Sequence, residues 1–216
     1  MEEPIERARV AVNTMRARLT ILGFNLAITT FQITNTRGLP GGSHLDGFET
    51  TVYFSAVAVL LTGVALSIAS MVTFIAASTL DREGTCDHRA LLAGDLLMYL
   101  ALAQTVVGFF GPYLHLLEAV PMVTEAEHQA LSIVRIGIVV AGSTAWILTT
   151  YAGPIVALAR SPHRRVTKLF HAMGYLGVLA CISRLWWAAQ RIEGNTAVGD
   201  GSPYAWVTAF AAPVFW

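Results

Sequence analysis

Polar side chains recur along one face of the first apolar segment, and their types are those that can contact an ion or a small solute. On a helix, which turns about 100° per residue, four of them fall within an arc of about 60°. They are Asn25, Thr29, Gln32 and Thr36, with Arg18 on the same azimuth toward the N-terminus. Amide and hydroxyl oxygens can replace part of a permeant's hydration shell. The face therefore predicts either hydrogen bonds across a helix interface or a hydrated path through the protein.

A carboxylate within an apolar segment is the second chemical feature. Asp95 lies about one turn into the third apolar segment, and His171 is expected at a similar depth near the start of the fifth. The two side chains are therefore candidates for a pair. Because carboxylates inside membranes mark ion or proton pathways, we expect Asp95 to supply the buried carboxylate of the hydrated path.

Ionisable residues also lie near the opposite ends of the apolar segments. They are His115 and Glu118 at the end of the third segment, Arg135 at the start of the fourth and Arg184 toward the end of the fifth. Arginines at the hydrocarbon boundary need carboxylates, carbonyls or lipid headgroups. Glu118 is the nearest carboxylate along the chain, so we expect this group to form ion pairs or ligand contacts.

The composition indicates that these residues belong to a membrane protein. Of 216 residues, 55% are hydrophobic and 13% are charged, whereas soluble domains carry roughly 25% charged residues. That balance excludes a disordered chain and argues against a soluble globule. Lys plus Arg and Asp plus Glu number 14 each, so the formal net charge is zero and nucleic acid is not an expected partner.

Five apolar segments approach the length of about 20 residues that crosses a bilayer. They lie near residues 19–36, 52–80, 91–111, 131–159 and 169–190, the first being the weakest. We predict an all-α, multi-span integral membrane bundle of about five transmembrane helices. Its expected parts are a cytoplasmic or interfacial N-terminal segment (1–18), a five-helix transmembrane domain (19–192) and an extracytoplasmic aromatic C-terminal tail (193–216).

The distribution of basic residues predicts the orientation. The N-terminal segment carries four arginines, the second connection two, and the fourth connection four Lys or Arg residues. The other connections carry only Arg37 and Arg191. By the positive-inside rule the N-terminus is expected in the cytoplasm, where the basic surface would meet anionic lipids. The expected location is a bacterial inner membrane.

Local signals predict helix ends and packing faces. Thr124 with Glu127 has capping-box spacing, and Ser161 before a proline is typical of an N-cap. Gly111 and Pro112 predict an interruption of the third helix. Rows of small residues predict close packing, within one chain or between copies. These rows are Ala58, Thr62, Ala65, Ala69, Thr73 and Ala76; Gly137, Ala141 and Ala145; and Gly174, Gly177 and Cys181.

These features predict an oligomeric channel or small-solute transport protein, with a polar path lined by the first helix and no covalent chemistry. Two alternatives stay open: a non-catalytic subunit of a larger membrane complex, and a membrane redox protein or enzyme using His115 or His171 with Asp95. Nucleotide-binding, zinc-protease and serine-hydrolase motifs are absent from the sequence, no metal-site spacing is present, and no cofactor is specified. Expected partners are the lipid bilayer and other copies or other membrane subunits.

Overall fold

The computed structural model describes the backbone of residues 2–36, 51–80, 88–119, 124–193 and 213. It describes the side chains of residues 13–36, 51–80, 88–117, 124–191, 193 and 213. The side chain of Glu118 and the remainder of the predicted C-terminal tail lie outside this part, as do the first 12 side chains of the predicted N-terminal segment.

Every regular element in the described part is helical, which confirms the all-α prediction for these residues. The helices are α1 (Glu2–Asn35), α2 (Phe54–Leu80), α3 (Arg89–Ala119), α4 (Glu125–Ile147), α5 (Gly153–Arg160) and α6 (Arg165–Ile192). A π-helical turn, Leu148–Ala152, joins α4 directly to α5.

Four helical stretches in the described residues are long and apolar enough to cross a membrane. They are Phe54–Leu80, Arg89–Leu117, Glu125–Arg160 and Arg165–Arg191. The third combines α4, the π-helical turn and α5 into 36 continuous residues. Helix α1 has 34 residues but is not among them, because its charged N-terminal half and its polar face lower its hydropathy.

Helix α3 is the centre of the bundle and contacts each of the other helices. Of its most apolar stretch, 61% is buried, against 11% for the stretch that contains α4 and α5. Leu92, Leu96 and Leu100 of α3 pack in one buried cluster with Tyr175 and Leu179 of α6. The positions of the peripheral helices are therefore set mainly by contacts with α3.

A second buried cluster holds α1 against α2 and α3. It contains Leu22 of α1, Phe74 of α2, and Leu91 and Met98 of α3. Gly94 of α3 makes room for the phenylalanine ring, since a Cβ at that position would lie 2.6 Å from Phe74 Cε1. The close approach of α2 and α3 at this level therefore depends on a residue without a side chain.

Helix α1 turns four large apolar side chains outward. Phe24 and Phe31 are each 67% exposed, and Ile21 and Ile28 also lie on the outer surface. Such a face would be costly in water, but it is the expected surface of a helix that borders acyl chains. Among its described residues, α1 is therefore apolar on the outside, and its buried side chains are polar except for Leu22.

Pro154 accounts for the π-helical turn. Proline lacks an N–H, and its ring excludes the carbonyl four residues earlier, that of Thr150, from the helical hydrogen bond. Tyr175 of α6 satisfies this carbonyl by donating its hydroxyl to it at 2.6 Å, while the N–H of Gly153 donates to the carbonyl of Leu148. One extra residue in the turn rotates α5 by about 100° relative to a continuous α-helix.

The helix ends agree with the sequence in one case and differ in another. The predicted capping box is present: the N–H of Glu127 donates to Thr124 Oγ1 at 3.3 Å, and the N–H of Thr124 donates to Glu127 Oε2 at 2.9 Å. Ser161, predicted as an N-cap, instead ends α5 by donating its N–H to the carbonyl of Ala157 at 3.1 Å. The next helix begins four residues later, at Arg165.

The predicted interruption at Pro112 is absent, because α3 is continuous from Arg89 to Ala119. A proline removes one backbone hydrogen bond, here to the carbonyl of Gly108 four residues earlier. The packing of α3 against the other helices therefore outweighs this local cost. His115, which follows the proline, lies in the last turns of α3, the helix whose end it was predicted to occupy.

Candidate functional site

The polar face of α1 is buried inside the bundle. Its four predicted residues, Asn25, Thr29, Gln32 and Thr36, are at most 3% exposed. Buried polar side chains of the neighbouring helices lie against this face, namely Ser67 of α2 and Thr105 of α3. We call these six side chains the polar seam.

Hydrogen bonds across the polar seam join three helices. Asn25 Nδ2 donates to Ser67 Oγ at 3.0 Å, and Ser67 Oγ donates to the carbonyl of Gly63 at 2.8 Å. Thr29 Oγ1 donates to the carbonyl of Asn25 at 2.6 Å and lies 3.0 Å from Thr105 Oγ1. Thr105 Oγ1 likewise lies within bonding distance of a carbonyl of its own helix, that of Ala101 at 3.1 Å, so either hydroxyl can donate when the two bond to each other.

These contacts bear on the two interpretations of the α1 face. A hydrated path requires that the amide and hydroxyl groups border water, whereas the polar seam encloses them between α1, α2 and α3. Hydrogen bonding across a helix interface, the other interpretation, matches the surroundings of Asn25 and Thr29. The hydrogen bonds of the polar seam therefore help to hold α1 against α2 and α3.

Two residues predicted to lie on the path, Arg18 and Asp95, form an ion pair. Arg18 Nη2 donates to Asp95 Oδ2 at 2.6 Å. The guanidinium carbon of Arg18 also lies 5.5 Å from the centroid of the Phe74 ring, within the range of a cation–π contact. The side chains are 21% and 14% exposed, so the pair is partly open to its surroundings and is not sealed like the seam.

The predicted pair of Asp95 with His171 is not formed, because Arg18 occupies the position beside Asp95. His171 Nδ1 lies 2.8 Å from the carbonyl oxygen of Thr167, one turn earlier on the same helix. Since a carbonyl only accepts, Nδ1 carries the proton of this bond. The position of a residue along its helix can be counted from the sequence. The side of the helix that faces a given neighbour depends on how the helices pack.

A cavity of about 410 Å³ opens beside the ion pair, between the start of α3 and the end of α5. We call it the basic cavity. Its polar lining consists of Arg18, His88, Asp95, Arg160, Ser161 and His163. Met98, Tyr99 and Val156 contribute apolar surface. The ion pair is therefore part of a cavity wall at the end of the bundle.

The charges of the basic cavity favour an anionic ligand. Two guanidinium groups oppose one carboxylate, so the lining is positive even with both imidazoles neutral. The N–H of Ala90 donates to His88 Nδ1 at 3.2 Å, which leaves Nε2 as the protonated donor of the neutral ring. The N-terminus of α3 adds the partial positive charge of its first N–H groups.

His115 lies at the opposite end of the bundle, against the start of α2. Its ring stacks on Tyr53 with centroids 6.4 Å apart. Burial raises the pKa of the Tyr53 hydroxyl, and the negative charge of Glu193 raises it further. Glu193 Oε1 accepts the N–H of Ser55 at 2.8 Å, so the end of α6 caps the first turn of α2.

The other predicted ionisable residues are not gathered at the basic cavity. Arg135 of α4 and Arg184 of α6 are exposed on the surface of the bundle, where long side chains extend toward lipid headgroups. Neither they nor His115 and His171 line the cavity. The contact expected between the arginines and Glu118 lies outside the described side chains.

Sequence reasoning missed the residues that complete both features. His88, Arg160 and His163 are not among the predicted site residues, yet they line the basic cavity because they lie at the start of α3 and the end of α5. The predicted small-residue face of α2 missed Ser67, which with Gly63 belongs to the buried face. The spacing of Gly63, Ser67 and Ser70, which places three small residues on one face of α2, could have indicated this buried face.

Comparison of the chain with models of protein families, with curated proteins and with solved structures gives no significant match. Among the described residues, His, Cys, Asp and Glu side chains form no group of three or more that could hold a metal ion.

The Arg18–Asp95 pair predicts non-additive stability changes. Arg18→Gln and Asp95→Asn should each destabilise the protein, because each leaves one charge near the hydrocarbon without its partner. In the double variant the second substitution should cost much less than it does alone. We expect a coupling free energy of about 1.5–3 kcal/mol, the range for hydrogen bonds to charged groups, measured by unfolding in mixed micelles.

The control is Arg16→Gln, which removes an exposed arginine from the same helix. It should change the free energy of unfolding by less than about 0.5 kcal/mol. Additive effects of Arg18→Gln and Asp95→Asn would show that the pair contributes no coupling.

Proposed function

We propose that the protein is a non-catalytic subunit of a membrane assembly and that it binds neighbouring transmembrane helices through α4 and α6. The observation that carries this proposal is the outward position of their small-residue rows. Gly137 of α4 and Gly174 and Gly177 of α6 are exposed. A Cβ added at any of them would meet no described atom within 4 Å.

Small residues in transmembrane helices serve close approach between backbones. Gly63 and Gly94 do this within the chain, because a Cβ at either position would touch α3 or α2. Among the described residues, no atom lies within 4 Å of a Cβ added at the glycines of the α4 and α6 rows, although glycine costs about 1 kcal/mol relative to alanine in a helix. A helix from another copy or from another membrane subunit is the occupant that makes use of these rows.

The proposed topology has five crossings, with α1 as the first. A helix of 34 residues is about 51 Å long, which exceeds the bilayer core of about 30 Å. The apolar outer face of α1 and its hydrogen bonds to α2 and α3 support a position inside the bilayer. On this proposal residues 1–18 form the N-terminal segment, 19–192 the transmembrane domain and 193–216 the extracytoplasmic tail.

The proposed orientation has the basic end of the bundle in the cytoplasm of a bacterial cell. Exposed basic residues at the ends of α3, α5 and α6 support it. They are Arg89, Arg160, Arg164 and Arg165. By the positive-inside rule such a surface faces the cytoplasm, where anionic lipids of the inner membrane are its expected partners and nucleic acid is not.

The assembly proposal predicts that a bulky substitution in the small-residue row of α6 reduces the size of the extracted particle. The full chain, extracted from its membrane with mild detergent, should run as a particle larger than one 23.3 kDa chain. Gly177→Leu should release single chains, because the added side chain separates the helices that pack there. Native mass spectrometry measures this change and distinguishes copies of this chain from other subunits.

Thr30→Leu is the matched control, because Thr30 of α1 is also exposed but belongs to neither the α4 row nor the α6 row. It should leave the assembly intact. A wild-type protein that is already a single chain, or equal loss of assembly in both variants, would contradict the proposal.

A second candidate function, small-solute or ion transport by an oligomer, is favoured by the basic cavity. This cavity reaches the intramembrane residue Asp95 from one end of the bundle, as an inward-facing binding site would. The proposed route runs past the Arg18–Asp95 pair rather than along the buried seam. A single chain would then supply the inner part of the route.

The transport candidate predicts which substitutions alter flux in proteoliposomes. Salt flux above that of empty liposomes should change when Arg18→Gln and Asp95→Asn are combined, because the double variant removes both charges of the cavity wall. Asn25→Leu combined with Gln32→Leu should leave it unchanged, since those side chains are sealed. Flux no greater than in empty liposomes would remove the candidate, and sensitivity to the seam variant would restore the path along α1.

A further inference from the structure

We propose that the basic cavity is a binding site for a phosphate group, held by the guanidinium groups of Arg18 and Arg160 with His88 at the wall. This site does not require assembly through α4 and α6. It occupies the same cavity as the transport candidate but requires no passage across the membrane, so phosphate binding without flux would support the site and remove that candidate. The shared ligand chemistry is a phosphate oxyanion, supplied by a free phosphate or by a phospholipid headgroup.

Arg18 retains donors for a ligand after pairing with Asp95. A guanidinium group carries five N–H donors, and the bond from Nη2 to Asp95 Oδ2 uses one of them. The carboxylate neutralises the charge of Arg18 but also fixes its head group at the wall of the cavity. An arginine held in this way is oriented before the ligand arrives, which lowers the entropic cost of binding.

Arg160 gives the cavity its net positive charge. It is the last residue of α5 and lies in the cavity wall near Ser161 and His163. The described carboxylate of the lining, Asp95, is already paired with Arg18. A planar guanidinium binds two oxygens of a phosphate at once, and this geometry favours phosphate over a spherical anion such as chloride.

The backbone around the cavity reinforces this preference. His88 lies just before α3, and its neutral ring presents an Nε2 donor because Nδ1 accepts the N–H of Ala90. At the end of α5, two carbonyls that would repel an anion are occupied: Ala157 accepts the N–H of Ser161, and Ala159 accepts Lys168 Nζ at 3.1 Å. The positive charge that Lys168 brings to the end of α5 offsets part of the partial negative charge of that helix end.

The size of the cavity suits a phosphate group with part of its hydration shell. Its volume of about 410 Å³ is more than ten times the roughly 30 Å³ that one water occupies in the liquid. The apolar wall formed by Met98, Tyr99 and Val156 would also accept the glycerol and upper acyl carbons of a lipid. Both sources of phosphate are therefore compatible with the space.

The test uses the purified full chain with two probes. The first is inorganic phosphate, titrated against the delipidated protein while thermal unfolding is followed, with chloride at equal ionic strength as the reference. The second is a nanodisc of phosphatidylcholine with or without phosphatidylglycerol, from which retained lipid is counted by native mass spectrometry. We expect saturable phosphate stabilisation, retention of phosphatidylglycerol, or both, and the pattern identifies the source.

Arg160→Gln should weaken whichever binding is observed by about tenfold or more, since a charge-assisted bond is lost. Arg164→Gln is the matched control, because it removes an exposed arginine four residues away that does not line the cavity. It should leave binding unchanged within about twofold, and Arg160→Lys should give partial binding through its retained charge.

Three results would overturn the site. The first is the absence of saturable binding of both probes to the wild type, which needs no variant to fold. The second is a response to chloride equal to that for phosphate, which would indicate general screening. The third is an equal loss of binding in Arg160→Gln and Arg164→Gln, which would indicate attraction to the whole basic surface.

Discussion

The structure depends on one constraint, that a polar side chain buried away from water must find its partner inside the protein. Helix α1 carries four such side chains on one face, and this face is buried against α2 and α3. Hydrogen bonds to those helices offset the free-energy cost of removing the polar groups from water. The bond from Asn25 to Ser67 and the contact of Thr29 with Thr105 fix both the rotation and the height of α1. The apolar outer face of the helix then remains on the surface of the bundle.

The same attachment brings Arg18 to Asp95. Arg18 lies about two turns before Asn25 on the same face of α1, so fixing the seam also sets the position of the guanidinium group near the start of α3. On the other side of the basic cavity, the π-helical turn next to Pro154 rotates α5 and so decides where Arg160 points. The cavity thus arises from two departures from uniform apolar helices, a polar face on α1 and an extra residue before α5.

The features predicted well from the sequence depend on neighbours along the chain. Local spacing in the sequence is sufficient to predict three features. They are the long apolar stretches of α2, α3, α4 with α5, and α6, the polar arc on α1, and the capping box at Thr124. The features missed depend on how helices face one another. Depth alone made His171 a partner for Asp95, and only the packing of α1 against α3 brings Arg18 there instead. Ser161 matched an N-cap in sequence but ends a helix, because α5 continues α4 through Pro154 up to that residue.

The most direct measurement of the sealed seam is the accessibility of a cysteine at residue 29 to a charged, membrane-impermeant thiol reagent. The experiment uses a Cys86→Ser, Cys181→Ser background. In the folded protein Thr29→Cys should react slowly, because the side chain of residue 29 is buried. It should react no faster than Thr30→Cys on the outer face of α1, where the account expects lipid to exclude the charged reagent. Arg164→Cys, at the basic end, should react rapidly, and denaturation should make Thr29→Cys equally reactive. Reaction of folded Thr29→Cys at a rate close to that of Arg164→Cys would contradict the account, because water would then reach the polar face of α1.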